Sequence, residues 1–496
     1  MNRKIFYITI SLIIAIIGVI CFWFISKSKE DSSSNIVQGK ASNLSITTID
    51  SSLAGNAILG TPTKNSIAIN ILAEKGMSAV VDYSITSGTY NLKTNAKTSV
   101  QGEPIIIDIS NLNPNTKYYY RINTKKETES NYTAGIEHFF YTQRSSGSTF
   151  SFGVQGDSHP ERAGKMFNSD LYLTTMQNVA KAQPDFYYTL GDDFSIEGLI
   201  DKKQTTQQTV DEVYLLQRKY LGLVGSSSSL FLVNGNHEQA AKYLLDGTAT
   251  NSAVLSANAR NSYFSLPAPS NFFSGDTEKV DNIGYLRDYY SYEWGDALFI
   301  TIDPYWHSDT AVDNSIYSDG KKQRDLWNNT LGDTQYKWFK QTLENSKAKY
   351  KFVFTHHVLG TGRGGIEEAK LYEWGGYNSQ GVYEFDKKRP GWDKPIQQLM
   401  ADNHVTIFFQ GHDHLFAKQE LDGVVYQSMP NPADDTYTAF NQDAYLSGVK
   451  LPNSGFLNIT VSPDRVRVNY IRSFLPKDEN SQNKNDSIGY SYEIKN

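Results

Sequence analysis

The sequence is poor in cysteine and has no excess of positive charge. The first shortage excludes a disulfide bond within the chain, and the second argues against a nucleic-acid-binding surface. Its 496 residues include one cysteine, Cys21, so no intramolecular disulfide bond can form. Lysine and arginine number 47 against 53 aspartates and glutamates, and the net charge of −6 leaves no basic footprint for nucleic acid. Stability must therefore come from a core, which a hydrophobic content of 39%, with 32 tyrosines and 25 phenylalanines, can supply.

One long uncharged apolar run is present, at residues 5–26. About 20 apolar residues cross a bilayer, whereas the apolar part of a secretory signal has about 7–15 residues and ends at a small-residue cleavage site. No such site follows here, so residues 1–29 are predicted to be a transmembrane anchor, with a cleaved signal as the alternative. Residues 30–44 are polar and serine-rich and predict a flexible tether.

Residues 45–144 show short alternating strands separated by glycine, asparagine and proline turns, which predicts an all-β sandwich. No cluster of ligand-type residues is visible in this region. We therefore interpret it as a spacer or scaffold.

Residues 148–476 alternate strands with amphipathic helical stretches, which predicts an α/β layered domain. Beyond it, 477–496 is predicted to be a polar tail, in which 490–494 could add a short strand. The main predicted strands are 149–155, 185–190, 229–233, 350–355 and 405–410, and the predicted helices are 165–181, 205–221, 334–347 and 394–403.

Six of the nine histidines lie in five polar motifs, each directly after one of these strands. The other ligand-type residues there are aspartate and asparagine, whose oxygen donors complement imidazole around divalent metals. Because ligands bind beyond the carboxyl ends of the strands in open α/β sheets, the five loops can converge. Two metal ions about 3.5–4 Å apart can act together at one site, and a carboxylate such as Asp192 can bridge them. The motifs are Gly156-Asp157-Ser158-His159, Gly191-Asp192-Asp193, Gly235-Asn236-His237-Glu238, Val353-Phe354-Thr355-His356-His357 and Gly411-His412-Asp413-His414.

In this order the motifs resemble the signature of the calcineurin-like metallophosphoesterases, and the resemblance extends over residues 150–474. It implies a central β-sandwich flanked by helices, two bound metal ions, and His237 placed over the phosphate. Carried over position by position, it assigns Asp157, His159, Asp192 and His414 to metal one, and Asp192, Asn236, His356 and His412 to metal two.

A second resemblance concerns residues 112–121, which are similar to the tyrosine corner of fibronectin type III domains and to the N-terminal domain of purple acid phosphatases. The predicted architecture is therefore one N-terminal transmembrane helix, a fibronectin type III-like sandwich and an α/β layered metallophosphoesterase domain.

Other residues in or near the motifs each have two possible roles. Glu238 and Asp193 could orient His237 or a ligand histidine, or could be solvated. His357 could contact the substrate or only fill space. The residues assigned to possible substrate contact or ligand support are Glu238, His357, Asp193 and Arg363.

The predicted function is hydrolysis of a small phosphorylated substrate outside the cytoplasm, by a phosphomonoesterase. A metal-bridged hydroxide would attack phosphorus, and His237 would protonate the departing oxygen as general acid. A phosphodiesterase or nucleotidase on the same site is the alternative. A non-catalytic surface binding protein is disfavoured, because a degenerate site is expected to have lost ligands.

The metals are expected to be divalent Mn, Fe or Zn. Purple acid phosphatases carry Gly-Asp-x-x-Tyr, and that tyrosinate binds ferric iron. Here Ser195 occupies the tyrosine position and His159 completes Asp-x-His, so a neutral imidazole replaces an anionic phenolate. A less anionic set of ligands stabilises a trivalent ion less, so we expect a colourless enzyme.

Overall fold

The computed structural model describes residues 56–308, 317–318, 321–322, 326–357 and 362–495. The anchor predicted over 1–29 and the tether over 30–44 lie outside these residues. Within the described residues, none of the helices combines the length and the apolar character needed to cross a bilayer.

The N-terminal part is an all-β region built from two sheets around an apolar core. Strand Ile105–Ile109 illustrates why these segments form strands. Its first, third and fifth side chains are buried and the two between them are exposed, which is the two-residue period of a strand with one face on a core. The Tyr118 hydroxyl accepts a 2.8 Å hydrogen bond from the backbone N–H of Asn113, the kind of contact that a tyrosine corner makes. The fibronectin type III assignment stays a prediction. One sheet contains Ala57–Gly60, Ile67–Ile71 and Ile105–Ile109, and the other contains Leu92–Lys93, Ser78–Ser84, Lys117–Lys125 and Thr133–Ala134, with Lys97–Thr98 and His138–Tyr141 paired to it.

The larger α/β part contains two large sheets, and aromatic side chains fill the space between them; two short hairpins, Lys279–Val280 with Gly284–Tyr285 and Tyr317–Ser318 with Lys321–Lys322, form separate two-stranded sheets. The ring centroids of Tyr188 and Phe354, one from each sheet, are 4.1 Å apart in stacked geometry. The predicted central β-sandwich is therefore present. In spatial order, one sheet is Ser229–Leu232, Phe186–Thr189, Phe150–Gln155, Gly455–Val461, Arg465–Arg472 and Ser487–Lys495, and the other is Ser274–Gly275, Tyr290–Trp294, Ala297–Thr301, Tyr350–Phe354, Ile407–Gln410, Val424–Ser428, Phe416–Leu421 and Val449–Leu451.

Helices cover the outer faces of both sheets. The helix predicted over 165–181 begins at Ser169, because the Asn168 side chain accepts hydrogen bonds from the backbone N–H groups of Asp170 and Leu171 and caps the helix there. The α-helices are Ser169–Ala182, Glu197–Asp201, Gln207–Gly225, Ser252–Tyr263, Gly332–Asn345, Tyr372–Gly375, Phe385–Lys388 and Ile396–Asp402.

The polar tail predicted over 477–496 contributes a full edge strand instead. Ser487–Lys495 pairs antiparallel with Arg465–Arg472 along its whole length. Tyr490, Tyr492 and Ile494 pack against the aromatic core, so from Tyr490 onward every second side chain of this polar segment points inward. The short strand considered at 490–494 is therefore part of a longer one.

The all-β region and the α/β part share buried contacts. The Tyr120 hydroxyl donates a 2.6 Å hydrogen bond to the Ser226 carbonyl, and the fully buried Arg218 donates to the Asn70 carbonyl at 2.6 Å. Ile58 packs in the same apolar cluster as Leu221. The all-β region is thus an integral support of the α/β part rather than a loosely tethered spacer.

These contacts predict that a shortened chain beginning at Gln143 is less stable than the longer protein. If the lost contacts lower the free energy of unfolding of this large domain by a few kcal/mol, the melting temperature falls by roughly 5–10 °C. Calorimetric melting of both proteins measures this, with Tyr120→Phe, which removes one hydroxyl, expected to give a smaller shift. Equal melting temperatures for the shortened and longer chains would show that the shared contacts do not stabilise the α/β part.

Candidate metal centre

All five motif loops leave the carboxyl ends of parallel strands. Three of these strands belong to one sheet and two to the other, and their ends lie at a common edge of the β-sandwich. The structure therefore brings together all seven residues that the resemblance assigned to metal ions: Asp157, His159, Asp192, Asn236, His356, His412 and His414.

Four of these residues have left-handed backbone conformations, which side chains other than glycine adopt at a cost. The φ angles are 51° at His159, 56° at Asp192, 67° at His412 and 54° at His414. Each such residue costs on the order of 1–3 kcal/mol and persists only where its surroundings enforce it. Backbone strain of this kind concentrates at functional sites, and here it coincides with the donor side chains.

A first group of donors consists of Asp157, His159 and His414, all buried. The Nε2 atoms of the two histidines are 3.1 Å apart. The His414 Nε2 atom is also 3.0 Å from Asp157 Oδ2. These distances place three donor atoms around one small volume.

A second group consists of Asp192, His356 and His412. His356 Nε2 lies 3.2 Å from Asp192 Oδ2 and 3.3 Å from His412 Nδ1, and Asn236 Oδ1 is 3.1 Å from both ring nitrogens. The Nδ1–H of His356 donates to the Leu190 carbonyl at 2.7 Å, which orients Nε2 towards the group.

Asp192 links the two groups, because its Oδ2 atom is also 3.6 Å from His159 Nε2. Donor atoms about 2.1 Å from one ion lie roughly 3–3.5 Å from each other. The distances given for the second group lie in this range, and in the first group two of the three do, while His159 Nε2 and Asp157 Oδ2 are 3.8 Å apart. Histidine nitrogen with aspartate and asparagine oxygen is a donor set that suits divalent transition metals. The residues therefore fit metal ions at both positions.

Burial and neighbouring charges shift the pKa values of the donor residues. Burial disfavours a charge on His356, but Asp192 and Asp157 outweigh it and raise its pKa to about 10. Burial likewise disfavours ionised Asp157, but His356 and His414 lower its pKa to about 2. Burial holds the pKa of His412 well below its usual value, so that ring is neutral and ready to bind. A metal ion bound at the second position would therefore compete with the His356 proton.

His237 borders this centre without belonging to the metal-assigned set. Its Nδ1 atom is 2.7 Å from Glu197 Oε2, and its Nε2 atom is 3.0 Å from Arg162 Nη2. Because a guanidinium can only donate, Nε2 must be the acceptor in this arrangement, and Nδ1 carries the proton that it donates to Glu197. Burial opposes protonation of the ring, but Asp192 and Glu197 raise the pKa of His237, so Nε2 takes up a proton where Arg162 does not occupy it.

Three charged neighbours of the site were absent from the sequence prediction. Glu197 and Arg162 hold His237, and Glu161 accepts a 2.7 Å hydrogen bond from Nδ1 of His159. Glu161 and Arg162 follow His159 within three residues, and Glu197 follows Asp192 by five. A search for charged residues within the motif loops, rather than inside the motifs, could have found them.

The sequence left two roles open for Glu238 and Asp193, orienting a histidine or being solvated. Both side chains are buried, and both hydrogen-bond groups other than histidine rings. Glu238 is buried and accepts hydrogen bonds from four backbone N–H groups, those of Asp192, Asp193, Phe194 and Gly235, at 2.6–3.0 Å. It thereby joins two of the motif loops.

Asp193 points away from the donor groups into the protein. Its Oδ1 atom accepts hydrogen bonds from the Ser158 hydroxyl at 2.5 Å and from the Gln155 amide at 3.1 Å. In the described part of the chain, neither Asp193 nor Glu238 hydrogen-bonds a histidine.

His357 and Arg363 support the loop that carries His412. The His357 ring lies 3.8 Å, centroid to centroid, from the His412 ring, and its Nε2 contacts the Gly362 carbonyl at 2.9 Å. Arg363 donates to the His412 carbonyl at 2.7 Å and contacts Asp413 at 3.2 Å. Both residues therefore position a donor loop.

Comparisons with known proteins concern the fold and the family of the chain. None of the curated protein sequences matches the chain. The structure is similar to that of PhoD, with 14% sequence identity, coverage of 89% of this chain and 90% of that one, and a TM-score of 0.63. It is also similar to purple acid phosphatase PPD1 from yellow lupin (Lupinus luteus) seeds, with 15% identity, coverage of 89% and 74%, and a TM-score of 0.56.

At these identities the two structures establish the fold, and the sequence establishes the family. The model of the calcineurin-like phosphoesterase family matches residues 150–416, more than half of the chain. The predicted resemblance is confirmed: the chain belongs to the calcineurin-like phosphoesterase family and is a metallophosphoesterase.

Proposed function

We propose that the chain is a phosphomonoesterase with two divalent metal ions, Mn, Fe or Zn, held by the seven assigned residues. The observation that carries this proposal is the position of Asp192 Oδ2, 3.6 Å from His159 Nε2 and 3.2 Å from His356 Nε2. One carboxylate oxygen between two separate donor groups is the arrangement that a pair of bridged ions requires.

Metal ions bound there would polarise the phosphoryl oxygens and make a bound water more acidic. The protein itself supplies positive charge through Arg162, whose side chain is partly exposed beside His237. A phosphate monoester carries more negative charge than a diester, so this additional cation favours the monoester. Arg162 is therefore proposed to contact a phosphoryl oxygen.

When Arg162 turns from His237 to a phosphoryl oxygen, it also prepares His237 as the general acid. While Arg162 donates to Nε2, that nitrogen has no proton to give. Once the guanidinium turns to the phosphoryl group, Nε2 is free to take a proton, and Glu197 stabilises the charged ring through Nδ1 at 2.7 Å. His237 then protonates the leaving oxygen as the phosphorus–oxygen bond breaks.

We further propose that the apolar run at residues 5–26 anchors the chain in a membrane, with the α/β part outside the cytoplasm. The alternative is secretion after cleavage of this run as a signal. The support is the length of this run and the absence of a cleavage-type site after it.

The direct test is elemental analysis of the purified protein combined with phosphate release from matched esters. We expect two metal ions per chain and higher kcat/KM for p-nitrophenyl phosphate than for its bis-ester. Preference for the bis-ester would replace the monoesterase proposal with a phosphodiesterase. Failure to release phosphate from any monoester or diester with both metals bound would overturn the proposed substrate class.

A further inference from the structure

A cavity of about 420 Å³ lies beside the metal centre. It is large enough for a small organic group. It is lined by the residues Lys165, Met166, Thr436, Thr438, Phe440 and Asn441, among others.

Two walls of this cavity contact the residues of the proposed chemistry. On one side the Phe440 ring stacks on the His414 ring, with centroids 6.2 Å apart and an interplanar angle of 22°, and Asn441 donates to the Asp413 carbonyl at 3.2 Å. On the other side the Met166 sulfur accepts a 3.4 Å hydrogen bond from Arg162. The cavity therefore lies between the His414 loop and the arginine that holds His237.

Phe440 is the unusual member of this lining. The residue is 48% exposed, although its ring covers a histidine that is itself buried. A large aromatic side chain gains free energy by leaving water, so an exposed ring beside a catalytic centre is a natural stacking surface for a planar ligand.

The rest of the lining mixes apolar and polar groups. Thr436, Thr438 and Asn441 offer hydroxyl and amide groups, and the one cation, Lys165, is outnumbered by the carboxylates Asp434 and Asp443, so the lining does not attract a second anion. Such a lining suits an uncharged group that both stacks and forms hydrogen bonds.

We propose that this cavity binds the leaving group of the substrate, and that the leaving group is a nucleoside whose base stacks on Phe440. The inference rests on the proposed phosphomonoesterase function and names its substrate class. In the reaction, water supplies the oxygen that bonds to phosphorus, the bond between phosphorus and the nucleoside oxygen breaks, and His237 gives that oxygen its proton. The products are a nucleoside and inorganic phosphate.

The test compares two monoesters, adenosine 5′-monophosphate and glycerol 2-phosphate, in wild type and variants. We expect Phe440→Ala to lower the ratio of their kcat/KM values about tenfold, as loss of one base–aromatic stack does. Phe440→Trp should restore the ratio and Phe440→Leu should not, because only tryptophan keeps a planar ring. Leu446→Ala, an exposed apolar residue of the same segment outside the lining, is the matched control and should leave the ratio unchanged.

An unchanged ratio in Phe440→Ala would overturn the nucleoside subsite while leaving the phosphomonoesterase proposal intact. Calorimetric binding to the metal-loaded protein gives a readout without turnover. The affinity for adenosine 5′-monophosphate relative to inorganic phosphate should fall in Phe440→Ala. If the wild type releases no phosphate from any ester, the proposed function fails, and this affinity ratio alone decides whether the subsite exists.

Discussion

Asp192→Asn is expected to remove metal ions from both positions and to abolish measurable turnover. The substitution replaces the charged oxygen that lies between the two donor groups with a neutral amide. Changes to outer partners of metal ligands already weaken affinity by about 10–100-fold, so loss of a shared ligand should exceed the upper end of that range. Elemental analysis after gel filtration, together with phosphate release, measures both effects.

Asp193→Asn is the matched control for this variant. Asp193 is the next residue and equally buried, but its Oδ1 atom accepts from Ser158 and Gln155, a role that an asparagine oxygen can keep. We expect it to retain two metal ions. Two metals per chain and normal turnover in Asp192→Asn would show that the bridge lies elsewhere.

The second large effect is expected for His237→Ala, which should keep both metal ions but lose about 10²–10⁴ in kcat on esters of poor leaving groups. An alkoxide needs protonation as it departs, whereas an activated phenol leaves with little help. The loss should therefore be much smaller for p-nitrophenyl phosphate than for an alkyl phosphate. Steady-state kinetics over a series of leaving groups measures the difference.

Glu197→Gln separates this role from a merely structural one. The amide keeps the shape of the side chain but removes the negative charge 2.7 Å from His237 Nδ1. An intermediate loss that follows the same leaving-group order is expected. Equal losses of His237→Ala on all esters would refute the general acid and leave His237 a role in binding.

The sequence predicts the strands before the motifs well, because each is a short apolar run ended by polar ligand-type residues. The strand predicted over 149–155 is observed at Phe150–Gln155, and that predicted over 405–410 at Ile407–Gln410. The edge strand Ser487–Lys495 was harder to predict, because its alternate side chains are polar and only pairing with a long neighbour reveals its inward face.

In the site, the donor residues within each motif can be predicted from the sequence, whereas the contacts that their loops make with one another cannot. The convergence of five loops follows from strand polarity alone. The carboxylates that pair with the Nδ1 atoms of His159 and His237, Glu161 and Glu197, lie outside the motifs, while Glu238, inside a motif, binds backbone instead. No pattern in the sequence distinguishes a carboxylate that meets a ring from one that meets an amide, because the difference depends on loop packing.

The Glu238 contacts have a consequence for how the protein acquires its metals. The loops of Asp192 and Gly235 are held by hydrogen bonds between protein groups, and they approach so closely that a Cβ atom on Gly191 would lie 2.5 Å from the Gly235 nitrogen. Because these contacts are made between protein groups, we expect the donor loops to keep their arrangement when metal ions are removed. Sites built from nitrogen and oxygen donors bind several first-row ions in their usual order of affinity. We therefore expect the bound metal to depend on which ions are available where the chain folds, and to be exchangeable in vitro without refolding.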